Sequence, residues 1–154
     1  MPVYAGLFAL QLFQLLFLVC HDWVPLGALN DVRAARQVDS PARLALVTAA
    51  SAAPFAVGLA ASFGHLQGPY PGWLMAWLWL TYGGLLLGQL RAWWLPSLGR
   101  PEPARAARYH AMFARTHAFL PQRNGMRPNT LHVILHAATL ATLVLLGAAS
   151  LGGR

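Results

Sequence analysis

The chain has 154 residues, of which 57% are hydrophobic and only 10% charged. A water-soluble domain carries about a quarter charged residues, so this composition excludes an ordinary soluble domain and a disordered chain alike. All eleven basic residues are arginine, against four acidic ones, for a net charge of +7.

A helix needs about 20 apolar residues to cross a hydrocarbon layer of about 30 Å. Four segments meet that length, at about 4–20, 44–63, 73–94 and 131–151. The first is uncharged, with Gln11 and Gln14 as its strongly polar side chains. It lacks the basic start and small-x-small exit of a cleaved signal, so it reads as a retained span. The second is rich in alanine and carries Pro54, which a bilayer helix tolerates when neighbours satisfy the freed carbonyl. The third runs past Arg91 to Trp94, and the fourth contains His132 and His136. No segment alternates with period two over a barrel strand's length. The expected fold is all-α: an integral membrane four-helix transmembrane bundle forming one domain over 1–154.

The arginines orient it. The loop 21–43 holds Arg33, Arg36 and Arg43, and the loop 95–130, with Arg91 at its edge, holds Arg100, Arg105, Arg108, Arg115, Arg123 and Arg127. Ten of the eleven share one side, leaving Arg154 at the other, and the connection 64–72 has no charge. The positive-inside rule puts both long loops in the cytoplasm and both termini outside, as in a bacterial-type cytoplasmic (inner) membrane. Tyr4, Tyr70 and Trp73 then mark the outer interface, and Trp23, Trp93 and Trp94 the inner one.

Smaller features refine the bundle. Gly84 and Gly88 form a G-x-x-x-G that predicts close packing of the second and third spans through small residues, with homo-oligomerisation as the alternative use. The single Cys20 excludes an internal disulfide and reads as a packed apolar side chain. Between spans three and four, Pro101, Glu102 and Pro103 open a predicted amphipathic interfacial helix over 104–120, closed by Pro121. Tyr109, Met112, Phe113, Thr116 and Leu120 form its apolar stripe, with Arg105, Arg108 and Arg115 alongside, and His110 and His117 share a face. Asn124-Gly125 predicts a tight reversal, and Asn129 or Thr130 a cap for the last span. A basic helix with an aromatic face suits anionic lipid; no nucleic-acid-binding motif is present, so nucleic acid is not an expected partner.

The functional signal lies in three polar stripes. His132, His136 and Thr139 share one face of span four, Gln14 and His21 one face of span one with Gln11 nearby, and Tyr82 and Gln89 one face of span three. Ionisable groups in a membrane face the interior and mark function. The stripes predict a cytoplasm-side polar pocket for an amphipathic or anionic, lipid-like ligand. In it His21, Asp22, His132 and His136 are the candidates for acid/base chemistry. Gln89, Arg43, Arg91, Arg123 and Arg127 are the candidates for binding the ligand, the arginines bidentately to its headgroup.

His132 and His136, at i and i+4, can also present two imidazoles to a divalent metal, though the glutamate of H-E-x-x-H is missing. Haem fits less well, for want of a matched histidine partner. No P-loop, dinucleotide fingerprint or nucleophile elbow occurs. Two other functions fit the same span pattern: an oligomeric small transporter or channel, and an accessory subunit of a larger membrane complex.

Overall fold

The computed structural model describes residues 2–152; the expected outer-side Arg154 lies outside them. The described chain is all-α. Its helices are α1 (Pro2–Cys20), α2 (Val32–Val38), α3 (Pro41–Phe63), α4 (Gly72–Gln89), α5 (Leu95–Leu98), α6 (Pro103–Phe113) and α7 (Thr130–Gly152). Three of them, α1, α3 and α7, are long and apolar enough to cross a membrane, which makes this a membrane protein. The fourth long helix, α4, is only 18 residues and spends several positions on Trp, Tyr, Gly and Gln instead of aliphatic side chains.

Local chemistry sets the helix starts. Asp31 Oδ1 accepts from the Ala34 amide at α2, and Ser40 Oγ from the Arg43 amide at α3, where Pro41 takes the first turn. Each satisfies one amide that a helix N-terminus leaves unpaired. Asn129 Oδ1 accepts from the His132 amide and so caps α7, as the sequence predicts.

Packing runs in a closed cycle: α1 lies against α3 and α7, and so does α4. Leu7, Phe55, Leu74, Leu78, Tyr82 and Leu146 fill the space between them. The α3–α4 contact is made at Gly58, where an added Cβ would stand 3.0 Å from Leu78 Cδ2. Beside it the Trp77 indole donates to the Pro54 carbonyl (3.0 Å). Gly84 and Gly88 are not in that contact: both are exposed, and a Cβ there meets nothing within 4 Å. The expectation that they pack spans two and three together is therefore wrong. α4 turns its larger residues Leu74, Leu78 and Tyr82 inward and leaves the glycines outside.

Helix continuity past Gln89 takes a form the sequence does not announce. Leu90–Trp94 is a π-helical turn that runs directly into α5. A π turn widens the spiral by one residue and re-aims the side chains that follow it. Here it turns Trp93 and Trp94 onto α7.

The helix expected over 104–120 is shorter in the structure. α6 ends at Phe113, and the Thr116 hydroxyl bonds back to the Phe113 carbonyl (2.8 Å). The chain then turns away, because the His117 amide donates to Ala28 O and its carbonyl accepts from the Thr130 amide. His117 thus shares no helix face with His110. At Asn124-Gly125 both residues have positive φ (49° and 77°), and Arg123 and Met126 exchange two backbone bonds across them. This is the expected reversal, in the two-residue form Asn-Gly favours.

Candidate functional site

The three polar stripes meet inside the helix cycle. Gln89 Nε2 of α4 donates to Thr139 Oγ1 of α7 (2.9 Å), and the Thr139 hydroxyl lies 3.0 Å from Gln14 Oε1 of α1. Gln14 Nε2 donates onward to Thr142 Oγ1 (2.8 Å), whose hydroxyl closes the run on the Ala138 carbonyl. Three helices are tied by one chain of hydrogen bonds. Such groups are buried because each finds a partner that lipid cannot provide.

At the ends of α1 and α7 that carry the basic loops, the histidines gather. His21 and His132 rings lie 5.9 Å apart edge to face, and His132 and His136 rings 6.3 Å apart. His21 Nδ1 is 3.0 Å from Phe17 O, and its Nε2 is 3.3 Å from Asp22 Oδ2. Both neighbours are acceptors, and the single N–H of a neutral imidazole can serve one of them at a time. His132 Nδ1 lies 2.6 Å from Asn129 Oδ1, which already accepts from the His132 amide. That arrangement puts the proton on Nδ1 and leaves Nε2 as the lone-pair nitrogen.

Each imidazole of α7 has its own indole from the π turn. The Trp93 ring lies 4.2 Å from that of His132, and Trp94 Nε1 donates to His136 Nδ1 (3.0 Å). An indole N–H can only donate, so His136 Nδ1 accepts and its proton resides on Nε2. This pairing tells against metal at His136. Coordination through Nε2 would move the proton to Nδ1 and set it against the Trp94 N–H. Among the described residues no three of His, Cys, Asp and Glu gather as a metal-holding group.

The expected open pocket at the histidines is nearly filled. His21, Asp22, Asn129 and His132 line a cavity of only about 10 Å³, closed over by Met112 and Phe113 of α6. About 10–15 Å³ is the room one water needs. A space with room for a ligand lies on the other side of those side chains. A cleft of about 420 Å³ separates α6 from the π turn, floored by Trp93, Tyr109, Met112 and Phe113 and edged by Arg105, Arg108 and Glu102.

The candidate arginines are dispersed. Arg43 pairs with Asp39 (3.4 Å), Arg127 reaches the Leu120 carbonyl (3.5 Å), and Arg123 edges a separate cavity of about 240 Å³ with Trp94 and Leu120. Arg91 is exposed, its backbone carbonyl accepting from Arg105 Nη1 (3.3 Å). Gln89 is buried in the inter-helix chain and away from the loops. None of these five lines the histidine cavity or the α6 cleft.

The residues that do line the cleft were legible only as a stripe on a basic helix. Asp39, not singled out from the sequence, fixes that helix in place. It is buried at the end of α2 and takes a charge-assisted bond from Arg108 of α6. The sequence pattern places Trp93 and Trp94 in an interfacial belt. Their signal was the adjacent pair just beyond Arg91, four to five residues past a buried glutamine.

Compared with protein-family models, with curated proteins and with solved structures, the chain matches none of them.

Proposed function

We propose that the chain is a four-helix transmembrane bundle of a bacterial-type inner membrane that binds an amphipathic anion of lipid type in the α6 cleft. α1, α3, α4 and α7 are the spans, both basic loops face the cytoplasm, and α6 lies at the inner interface. The one-sided distribution of arginine supports this orientation, and the cycle of four packed helices supports the bundle.

The observation that carries the binding reading is the make-up of the cleft. Its floor is aromatic and sulfur-rich, and two arginines stand at its edge. Arg108 is engaged by Asp39, whereas Arg105 has no carboxylate partner among the described residues. An acyl or isoprenoid chain gains by leaving solvent for Trp93 and Phe113 at about 25 cal/mol per Å² buried. An anionic headgroup is held by the Arg105 guanidinium. Glu102 at the same edge disfavours a second negative charge.

Binding is favoured over catalysis. Trp93 and Phe113 form the cleft floor and also pack on His132, at 4.2 and 5.4 Å between ring centres. They stand between a bound ligand and the imidazole. His21, Asp22, His132 and His136 therefore serve to position the aromatic floor in this reading.

The test uses protein in nanodiscs of phosphatidylcholine with added phosphatidylglycerol, followed by native mass spectrometry of retained lipid. Wild type is expected to retain phosphatidylglycerol preferentially, and Arg105→Gln to lose that preference. Equal retention of both lipids by wild type would overturn the reading.

A further inference from the structure

Five buried side-chain atoms lack any hydrogen-bond partner among the described residues: Gln11 Nε2, Tyr82 Oη, Gln89 Oε1, His136 Nε2 and Asp39 Oδ1. Four of the five are on the long helices, inside the cycle. Gln11 and Tyr82 are wholly buried, Gln89 is 5% exposed and His136 is 3% exposed. Native interiors leave few such atoms unpaired, and ordered water satisfies most of those that protein does not. In a bilayer the pressure is greater, because lipid offers no partner at all.

From the connection between α3 and α4 to the end of α1, bonded polar groups and these unpaired atoms follow one another in an interrupted line. α1 serves as its ruler. At one end Tyr4 O accepts from the Tyr70 hydroxyl (3.5 Å), in the connection between α3 and α4. Tyr70 is buried, and its hydroxyl faces Ser62 and Gln11; burial holds it above the ordinary tyrosine pKa, so it remains a donor. Ser62 donates to Gln11 Oε1 (3.0 Å). One turn along α1, Gln14 enters the bonded chain with Thr142, Thr139 and Gln89. Beyond it stand His136 with Trp94, and then the His132–His21 pair at the end of α1. His65, 6.5 Å from Tyr70 between ring centres, extends the line at the opposite end. From Tyr4 to His21 the helix rises about 25 Å, which is close to the hydrocarbon thickness.

We infer that this polar line is a hydrated proton path through the bundle, joining the histidine cluster at the basic end to Tyr70 and His65 at the other. Waters held by His136 Nε2–H, Gln89 Oε1, Gln11 Nε2 and Tyr82 Oη carry the proton. Each water accepts one proton on a lone pair as it releases another to the next carrier, so no bond is left broken and no oxidant or reductant is required. The hydroxyls of Thr139, Thr142 and Ser62 rotate to pass the hydrogen bond along. Leu7, Leu74, Leu78 and Leu146 pack between the same helices, which suits protons over hydrated metal cations. This inference does not depend on lipid binding in the α6 cleft.

The experiment is proton uptake into liposomes reconstituted with the full chain, read by an entrapped pH dye under a valinomycin-set potassium potential. Wild type is expected to exceed empty liposomes at least tenfold. Gln14→Leu and Thr139→Val, each checked for helical content and monodispersity, are expected to lose most of that flux. Gly84→Ala, on the outer face of α4 and away from the line, is expected to retain it. Wild-type flux equal to that of empty liposomes would overturn the proposal even if a variant failed to fold. Undiminished flux in the folded Gln14→Leu protein would overturn it as well.

Discussion

Trp94 donates its indole N–H to Nδ1 of His136 across 3.0 Å, joining the π turn to the buried face of α7. The bond fixes the buried imidazole with its proton on Nε2. Trp94→Phe keeps most of the ring volume and removes the donor. It is expected to cost about 1 kcal/mol of stability, the usual net value of one such bond. Imidazole ¹⁵N shifts should show a single Nε2–H tautomer in wild type and a mixture in the variant. A wild-type Nδ1–H tautomer would contradict the assignment.

Small residues on the two long-helix faces should respond oppositely to enlargement. A Cβ at Gly58 stands 3.0 Å from Leu78 Cδ2, so Gly58→Val forces α3 and α4 apart. Overpacking of this kind costs about 1–3 kcal/mol. Gly84→Ala meets open space and should change stability by no more than about 0.5 kcal/mol. Denaturation in mild detergent distinguishes the two; equal loss would show that the G-x-x-x-G face is packed after all.

Asp39 is the anchor of α6, through Arg108 and, across 3.4 Å, Arg43. Asp39→Ala leaves both arginines without their carboxylate. Bonds between charged groups contribute about 1.5–3 kcal/mol, and the exposure of both arginines places the expected loss at the lower end. Amide hydrogen exchange should quicken across 103–113 while α1 and α7 remain protected. Unchanged protection in α6 would mean that its apolar face alone holds it.

Tyr70 gives an alkaline signature. Burial raises its pKa above 10.0, so between that value and the folded one the unfolded chain has released a proton that the folded chain retains. Stability from this group is complete below pH about 10 and is lost as pH rises through the folded pKa. Tyr70→Phe should flatten the decline. A variant that declines as steeply as wild type would assign the effect to another group.

The depth of legibility differs from element to element. The polar stripes were readable because a helix repeats its faces at fixed spacing: Gln14, Gln89 and Thr139 do meet. That their meeting forms a bonded interior chain, with the histidine cavity almost filled, depends on helix rotation, which spacing does not specify. The π turn is not legible, because Leu90–Trp94 is as good an α-helical sequence as any around it. Ala114 through Leu120 continue the helical composition of α6, yet the backbone bonds of His117 to Ala28 and Thr130 draw the chain elsewhere. The proposed orientation rests on the number of arginines on one side. Which of them edges the cleft was set by how the loop 95–130 folds back.

The most direct measurement is a structure determined in a lipid phase containing phosphatidylglycerol. The expected result is elongated density in the α6 cleft, with its head at Arg105 and its chain against Trp93 and Phe113. An empty cleft, with ordered lipid bound elsewhere on the protein, would contradict the proposed site.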